Sequence, residues 1–171
     1  MTDTRWLSEE EHVAWVRFTA VLELLPSALD LQLETDAGLS HFEYFTLAML
    51  SEAPDHTLRT SALAARTNAT LPRLSRVVSR LEAAGYAERS TCAEDRRATN
   101  VSLTEAGRQK LVRSAPGHVG AVRRFVVDQL TPEQIHELSA ISAAMLRQLD
   151  PEGRMHATGN PPQDPSGSAP D

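Results

Sequence analysis

Three arginines share one side of a helix that the sequence predicts between residues 70 and 81. Arg73, Arg76 and Arg80 are three and four residues apart, which places their side chains on one helix face. A guanidinium group donates paired hydrogen bonds to the edge of guanine, and it also binds phosphate. The alternative interpretation is that these arginines cover an ordinary solvated surface. The apolar residues of this helix are assigned to the core: Leu71, Leu74, Val77, Val78 and Leu81.

Catalytic and metal-binding chemistry is not indicated by the other residue types. The six histidines lack the spacing of metal ligands, and the chain has a single cysteine, Cys92. The sequence also lacks a phosphate-binding glycine loop, a nucleophile elbow and a recognisable catalytic triad. We therefore expect no enzymatic activity, no cofactor and no metal, and we interpret Cys92 as an inert, exposed thiol.

The net charge of −6 conceals a basic middle segment. Residues 57–110 contain ten basic and five acidic side chains, whereas the rest of the chain contains seven basic and 18 acidic ones. A basic segment in an acidic chain is able to face phosphate while the remaining surface limits nonspecific adhesion. The charge pattern is thus compatible with a phosphate-bearing partner and with a merely solvated surface.

The composition also bears on the compartment. The sequence has no run of about 18 apolar residues that could span a membrane. It has no basic segment followed by an apolar run of the kind that marks a secretory signal. A single cysteine excludes a disulfide scaffold. We therefore expect a cytoplasmic protein without a membrane partner.

The elements around the three arginines predict a helix-turn-helix followed by a hairpin. Thr70 caps the arginine-bearing helix, Pro72 fits its first turn, and Gly85 marks its end. Thr60 or Ser61 is expected to cap a short helix that precedes it, after which residues 67–69 form a tight connection. Residues 86–91 and 99–103 have strand character and enclose a polar loop, which is typical of a wing.

Helices are also predicted on both sides of this unit. Ser8 and Ser40 begin the first two with capping boxes, and Thr104 and Thr131 begin the last two. Pro26 is expected to kink or split the first helix, and residues 116–120 to disturb the fifth.

The chain is therefore divided into four parts. We expect an N-terminal helical dimerisation segment at 1–36, a winged helix-turn-helix region at 37–104, C-terminal dimerisation helices at 105–149, and a disordered tail at 150–171.

This order of elements resembles the MarR family of bacterial regulators, which are dimeric winged helix-turn-helix proteins. Residues 81–89, Leu-Glu-Ala-Ala-Gly-Tyr-Ala-Glu-Arg, are similar to the family's end of the recognition helix and first wing strand. Residues 95–107 are similar to its wing signature, an Asp-x-Arg followed at fixed spacing by Leu-Thr. The resemblance implies a mainly α fold with a two-stranded β-wing and a helical dimerisation region.

The recognition helix is expected to contact DNA through residues near its N-terminus and along its outer face. Arg73 and Arg76 are assigned to base edges in the major groove. Ser75 and Arg80 are assigned to phosphates, which fix register rather than sequence. The full set expected at this surface is Thr70, Pro72, Arg73, Ser75, Arg76 and Arg80.

The wing loop is expected to supply Asp95, Arg96 and Arg97. The resemblance implies that a wing-tip arginine enters the minor groove, and that Asp95 pairs with an arginine to hold the loop. The sequence leaves open which of Arg96 and Arg97 pairs and which reaches DNA.

The resemblance and the symmetry of operators both imply a homodimer, because two copies read two half-sites about one helical turn apart. The surplus apolar surface of the first, fifth and sixth helices is expected at this interface, with Leu22, Leu25, Ile141, Met145 and Leu149 in or beside it.

A small-molecule site is a further expectation. Trp15, His41 and Tyr44 are placed at a pocket between the dimerisation and DNA-reading regions, where the resemblance implies a small aromatic or phenolic effector. The function expected is that of a ligand-responsive repressor that binds a pseudo-palindromic operator on double-stranded DNA. The alternative is a winged-helix interaction or small-molecule-sensing module that does not bind DNA.

Overall fold

The computed structural model describes residues 4–92 and 97–156. These residues form six α-helices, which are α1 (Glu9–Ala37), α2 (His41–Ser51), α3 (Thr60–Arg66), α4 (Leu71–Ala83), α5 (Glu105–Phe125) and α6 (Pro132–Leu149). They also form three strands, which are β1 (Thr57–Arg59), β2 (Ala87–Thr91) and β3 (Thr99–Leu103). Short 3-10 helices lie at Pro54–His56 and Val127–Gln129.

The predicted helix starts are confirmed at five positions. Ser8, Ser40 and Thr131 form capping boxes, in which the side chain of each accepts from the amide three residues later. Thr70 and Thr104 cap α4 and α5 in the same way, without the reciprocal contact. These residues satisfy amide groups that have no partner within the helix, so local sequence fixes where each helix begins.

Neither of the two helices ends at the proline inside it, so the predicted split of the first helix at Pro26 is wrong. The first helix continues through Pro26 to Ala37, and α5 continues through Pro116 to Phe125. A proline removes one backbone hydrogen bond, but α1 and α5 pack along each other, and such packing outweighs local propensity. The predicted cap of α3 also needs correction, because the helix begins at Thr60 itself and the Thr60 hydroxyl donates to the Thr99 carbonyl at 2.9 Å.

The sheet has three antiparallel strands in the order β1-β3-β2, whereas the sequence predicts a two-stranded wing. The additional strand pairs Leu58 with Val101, and the wing strands pair Arg89 with the other side of Val101. A strand of three residues is too short for alternation to reveal it. The extra pairing ties the wing to the residues that precede α3.

The core lies within the winged helix-turn-helix region. Its members come from α2, α3, α4, the sheet and the start of α5. The largest fully buried apolar side chains of this cluster are Leu47, Leu50, Leu63, Leu74, Val78, Leu81 and Val101. Leu71, which the sequence assigns to the core, is 54% exposed, so that assignment is wrong. As the first residue of α4, it lies beyond the part of the helix that packs on the core.

The start of α5 is fastened to the wing. The Thr104 hydroxyl donates to the Gly85 carbonyl at 2.6 Å, and the Thr104 amide donates to the Tyr86 carbonyl at 3.1 Å. A Cβ on Gly107 would overlap the Tyr86 carbonyl oxygen, so only glycine permits this approach. The turn after α4 and the first turn of α5 are therefore held together.

Two helices leave apolar faces open. None of the residues of α6 is buried by the described parts of the chain, and α1 buries only Leu29 and Leu33. Their exposed large apolar side chains include Val16, Val21, Leu22, Leu24, Leu138, Ile141 and Leu149. In the ranges that the structure describes, no helix is both long enough and apolar enough to cross a membrane.

The C-terminal segment departs from its prediction at its beginning. Residues 150–156 form turns in which the Asp150 carboxylate accepts from the amides of Arg154 and Met155, each at 2.9 Å. This capping orders a segment whose composition predicts disorder. Residues 157–171 of the predicted tail lie outside the described residues.

Candidate nucleic-acid interface

The arginine side of α4 faces solvent. Leu74, Val77, Val78 and Leu81 are buried, whereas the residues of the opposite side are exposed, namely Thr70, Pro72, Arg73, Ser75, Arg76, Ser79 and Arg80. Thr70 fixes the start of this helix, because its hydroxyl accepts from the Arg73 amide at 3.4 Å. The structure thus brings the six predicted recognition-helix residues onto one open surface.

Two of the three arginines on this surface contact the first turn of α2. The Arg73 guanidinium lies over the Phe42 ring, with its central carbon 4.3 Å from the ring centroid. Arg80 Nε donates to Glu43 Oε1 at 2.9 Å, and the Arg80 side chain is still 65% exposed. Arg76 has no ion-pair partner among residues 4–92 and 97–156. Both contacts leave the guanidinium groups on the outer side of the helix.

Arg89 on β2 is a residue that the sequence analysis did not assign to the site. Its guanidinium pairs with the Glu82 carboxylate, and it also donates to the Ser75 carbonyl at 2.8 Å and to Ser79 Oγ at 3.2 Å. The Arg89 amide donates to Glu82 Oε1 at 3.0 Å. The Arg89 side chain therefore joins the wing to the recognition helix. The turn after α4 separates the two partners in the chain, so their spacing in the sequence does not predict the contact.

The wing is only partly described. The hairpin closes where the Cys92 amide donates to the Ala98 carbonyl at 3.0 Å, and Arg97 is exposed in the loop. Asp95 and Arg96 lie outside the described residues. Cys92 is 2% exposed, with Arg59 Nη2 at 3.6 Å from its Sγ, so the prediction of an exposed thiol is wrong. The end of β2 turns this side chain inward.

A ring cluster forms where α2 meets α5. The Tyr44 ring lies 4.5 Å from the His118 ring, and the His41 ring lies 5.8 Å from it. The His41 amide donates to Asp30 of α1 at 2.7 Å. Of the predicted pocket, the structure brings together His41 and Tyr44. His118 was missed, because nothing in its spacing relates it to residues so distant in sequence.

Trp15 does not join this cluster within one chain. It lies fifteen residues before Asp30 on the same helix and is 54% exposed. That interval corresponds to about 22 Å along the axis of α1. The prediction that Trp15 lines the pocket with His41 and Tyr44 is therefore corrected for the single chain.

Burial governs the ionisation of the ring cluster. It lowers the pKa of His41, against the opposing effect of the Asp30 carboxylate. It also lowers the pKa of His118, and His41 lowers that pKa further. Burial raises the pKa of Tyr44. These shifts favour neutral rings, and no group of three or more possible metal ligands exists among the described residues.

The fold and the site together define a winged helix-turn-helix protein. A short helix, a turn and an arginine-bearing helix are followed by a hairpin, and long helices flank the unit.

Comparison with known proteins assigns the family. The sequence model of the MarR family matches residues 37–98. The chain is 37% identical over 70 residues to the HTH-type transcriptional regulator PapX of Escherichia coli, and 32% identical over 85 residues to the HTH-type transcriptional repressor YetL of Bacillus subtilis. These matches cover 41% and 50% of this chain. The chain spans only 43% and 51% of the length of those two relatives.

Two solved structures match nearly the whole chain. Sco3205, a MarR family transcriptional regulator from Streptomyces coelicolor solved in complex with DNA, is 41% identical with a TM-score of 0.83. That match covers 88% of this chain and 94% of Sco3205. AbsC, a MarR family regulator of the same organism, is 36% identical with a TM-score of 0.79 and covers 85% of this chain and 98% of its own. The chain belongs to the MarR family of transcriptional regulators.

Proposed function

We propose that this protein is a sequence-specific DNA-binding regulator that represses transcription from a pseudo-palindromic operator. The observation that carries the proposal is the open arginine surface of α4, in a chain closely similar to a regulator solved with DNA. Arg73 and Arg76 bind base edges, and Ser75 and Arg80 bind phosphates. Thr70 and Pro72 shape the approach of the helix to the groove.

The wing completes the contact. In this proposal Arg97 or Arg96 enters the minor groove, where the negative potential of narrow A·T tracts attracts a guanidinium group. Asp95 pairs with the other arginine and holds the loop. Arg89 keeps the wing at a fixed angle to α4 through its contacts with Ser75 and Glu82.

The active species is a homodimer in this proposal. Residues 1–36 and 105–149 form the dimerisation part, and residues 37–104 bind DNA. Leu22, Ile141 and Leu149 are 51%, 56% and 79% exposed, while Leu25 and Met145 are half-buried. A second copy would cover these side chains and set the separation of the two recognition helices.

A small aromatic or phenolic effector is proposed at the ring cluster. His118 Nδ1 and Gln32 Oε1 are buried there or nearby and have no hydrogen-bond partner among the described residues. A ligand hydroxyl would donate to Gln32 Oε1 or bond to His118 Nδ1, and the ligand ring would stack on Tyr44. Binding would favour a dimer whose recognition helices no longer match the operator.

In this proposal the protein acts as a binder rather than an enzyme, in keeping with its similarity to regulators. Its place of action is the cytoplasm, where a bacterial chromosome is accessible.

The proposal is tested by titrating the protein against the DNA that flanks its own gene and against a scrambled duplex. We expect tight binding to the first only, with an affinity that falls steeply with salt, by a slope of about 0.9 for each phosphate contacted. Equal binding to both duplexes would contradict the proposed sequence specificity. No binding to either would favour the interaction module instead.

A further inference from the structure

The first turn of α2 contacts the recognition helix at two places. Phe42 supports the Arg73 guanidinium, and its neighbour Glu43 binds Arg80, seven residues further along α4. Seven residues are about two helical turns, so both arginines lie on the same side of the helix. Two consecutive residues of α2 therefore hold both ends of the arginine surface.

Glu43 is fixed more firmly than an ordinary surface carboxylate. Its Oε2 accepts from the Ser40 amide at 2.8 Å, which completes the capping box of α2. Its Oε1 accepts from Arg80 Nε at 2.9 Å, and its side chain is 13% exposed. The carboxylate therefore cannot follow Arg80 outward without releasing the cap. Because the ion pair uses Nε, the terminal amino groups of Arg80 remain available to a phosphate.

We propose that Phe42 and Glu43 are positioning residues that set the directions of Arg73 and Arg80 before DNA binds. Glu43 also restrains the attraction of this surface to DNA of any sequence, because it supplies Arg80 with an internal counterion. The inference rests on the proposed function and deepens it, since it assigns part of the specificity to residues outside the recognition helix.

Two physical effects follow from this arrangement. An arginine that is held in place before binding loses less side-chain freedom when it meets its target. An arginine that is already paired with a carboxylate adds less to the counterion release on which nonspecific binding depends. Both effects raise the ratio of operator affinity to nonspecific affinity.

Glu43→Gln separates the charge of Glu43 from its structural role. Glutamine also forms a capping box at this position, as Gln134 does at the start of α6 in the same chain. We expect tighter binding to scrambled DNA, a salt slope steeper by roughly one, and a specificity ratio lower by about twofold to fivefold, the range of a partly exposed ion pair. A purely structural role would weaken binding to both duplexes.

Controls make the test specific. Glu52→Gln removes a similar charge from the exposed end of α2, and we expect it to leave the specificity ratio unchanged. In an Arg80→Gln background, Glu43→Gln is expected to have no further effect on DNA binding. Phe42→Leu is expected to weaken binding to the operator but not to scrambled DNA. In an Arg73→Ala background, Phe42→Leu is expected to have no further effect on operator binding.

The outcomes separate this inference from the proposed function. Specific binding by the unaltered protein, with equal ratios in Glu43→Gln and Glu52→Gln, would overturn the inference alone. The same would follow if Glu43→Gln kept its effect without Arg80. No specific binding by the unaltered protein would overturn the proposed function, and this inference with it.

Discussion

The winged helix-turn-helix region buries its large apolar side chains, whereas the helices α1 and α6 leave many of theirs exposed. Leu47, Leu50 and Leu63 of the first region are 0% exposed. By contrast, Leu24 of α1 and Leu149 of α6 are 71% and 79% exposed. A large apolar surface on a single chain usually marks an interface. We infer that one chain completes the DNA-reading part alone, whereas the helical part requires a second copy.

The largest expected effect is the loss of stability when a side chain is removed from the core of the winged helix-turn-helix region. Leu63→Ala is expected to lower the free energy of unfolding by about 2–5 kcal/mol, because it removes a fully buried side chain. Denaturant unfolding measures this change. Leu71→Ala is the matched control in the same region, and we expect less than about 1 kcal/mol because Leu71 is 54% exposed. Equal losses would contradict the boundary of the core.

The second prediction concerns the open helices. Ile141→Glu is expected to weaken dimerisation by about thirtyfold or more, the effect of losing an interface anchor of about 2 kcal/mol. Sedimentation equilibrium measures it, and an unchanged circular dichroism spectrum would show that the fold remains. Ser139→Glu adds the same charge to α6 at an exposed polar residue about 200° around the helix from Ile141, and it should have little effect. A dimer unaffected by Ile141→Glu would place the interface elsewhere.

The third prediction concerns the arginine surface. Arg73→Ala is expected to weaken operator binding by roughly 1–3 kcal/mol, the range of a bidentate base contact, and to relax specificity at one base pair. Fluorescence anisotropy with a set of operator variants would detect both changes. Arg113→Ala removes an exposed arginine of α5 and serves as the control. Uniform weakening on every sequence would reassign Arg73 to a phosphate.

The sequence predicted those features that depend on local geometry. Thr70 and the capping residues act on amides three residues away, so their effect is visible in the order of residues. The burial of Leu74, Val78 and Leu81 follows from helical periodicity in the same way. The class of fold and the arginine surface could therefore be predicted.

The features that the sequence did not predict depend on contacts between distant residues. Phe42 meets Arg73, and His118 meets Tyr44, only because separate helices cross. The strand β1 forms because β3 offers an open edge, and its three residues carry no alternation of their own. Such pairings arise from tertiary packing, for which local spacing gives no signal.

The smallest expected effect is that of acid on stability through the ring cluster of His41, Tyr44 and His118, which lies where α2 meets α5. Burial lowers the pKa of His41 and of His118, so below about pH 6.5 the unfolded chain binds more protons than the folded chain. The free energy of unfolding should therefore fall as the pH drops below that value. Thermal unfolding at several pH values tests this, and His118→Gln should make the fall shallower.

The account is tested most directly by hydroxyl-radical footprinting of the DNA beside the protein's own gene. We expect two protected half-sites on one face of the duplex, with centres about one helical turn apart, because two copies present two recognition helices. A single protected half-site, or protection without a two-fold pattern, would contradict this account. In the account, one chain alone completes the DNA-reading part, and a second copy completes the helical part.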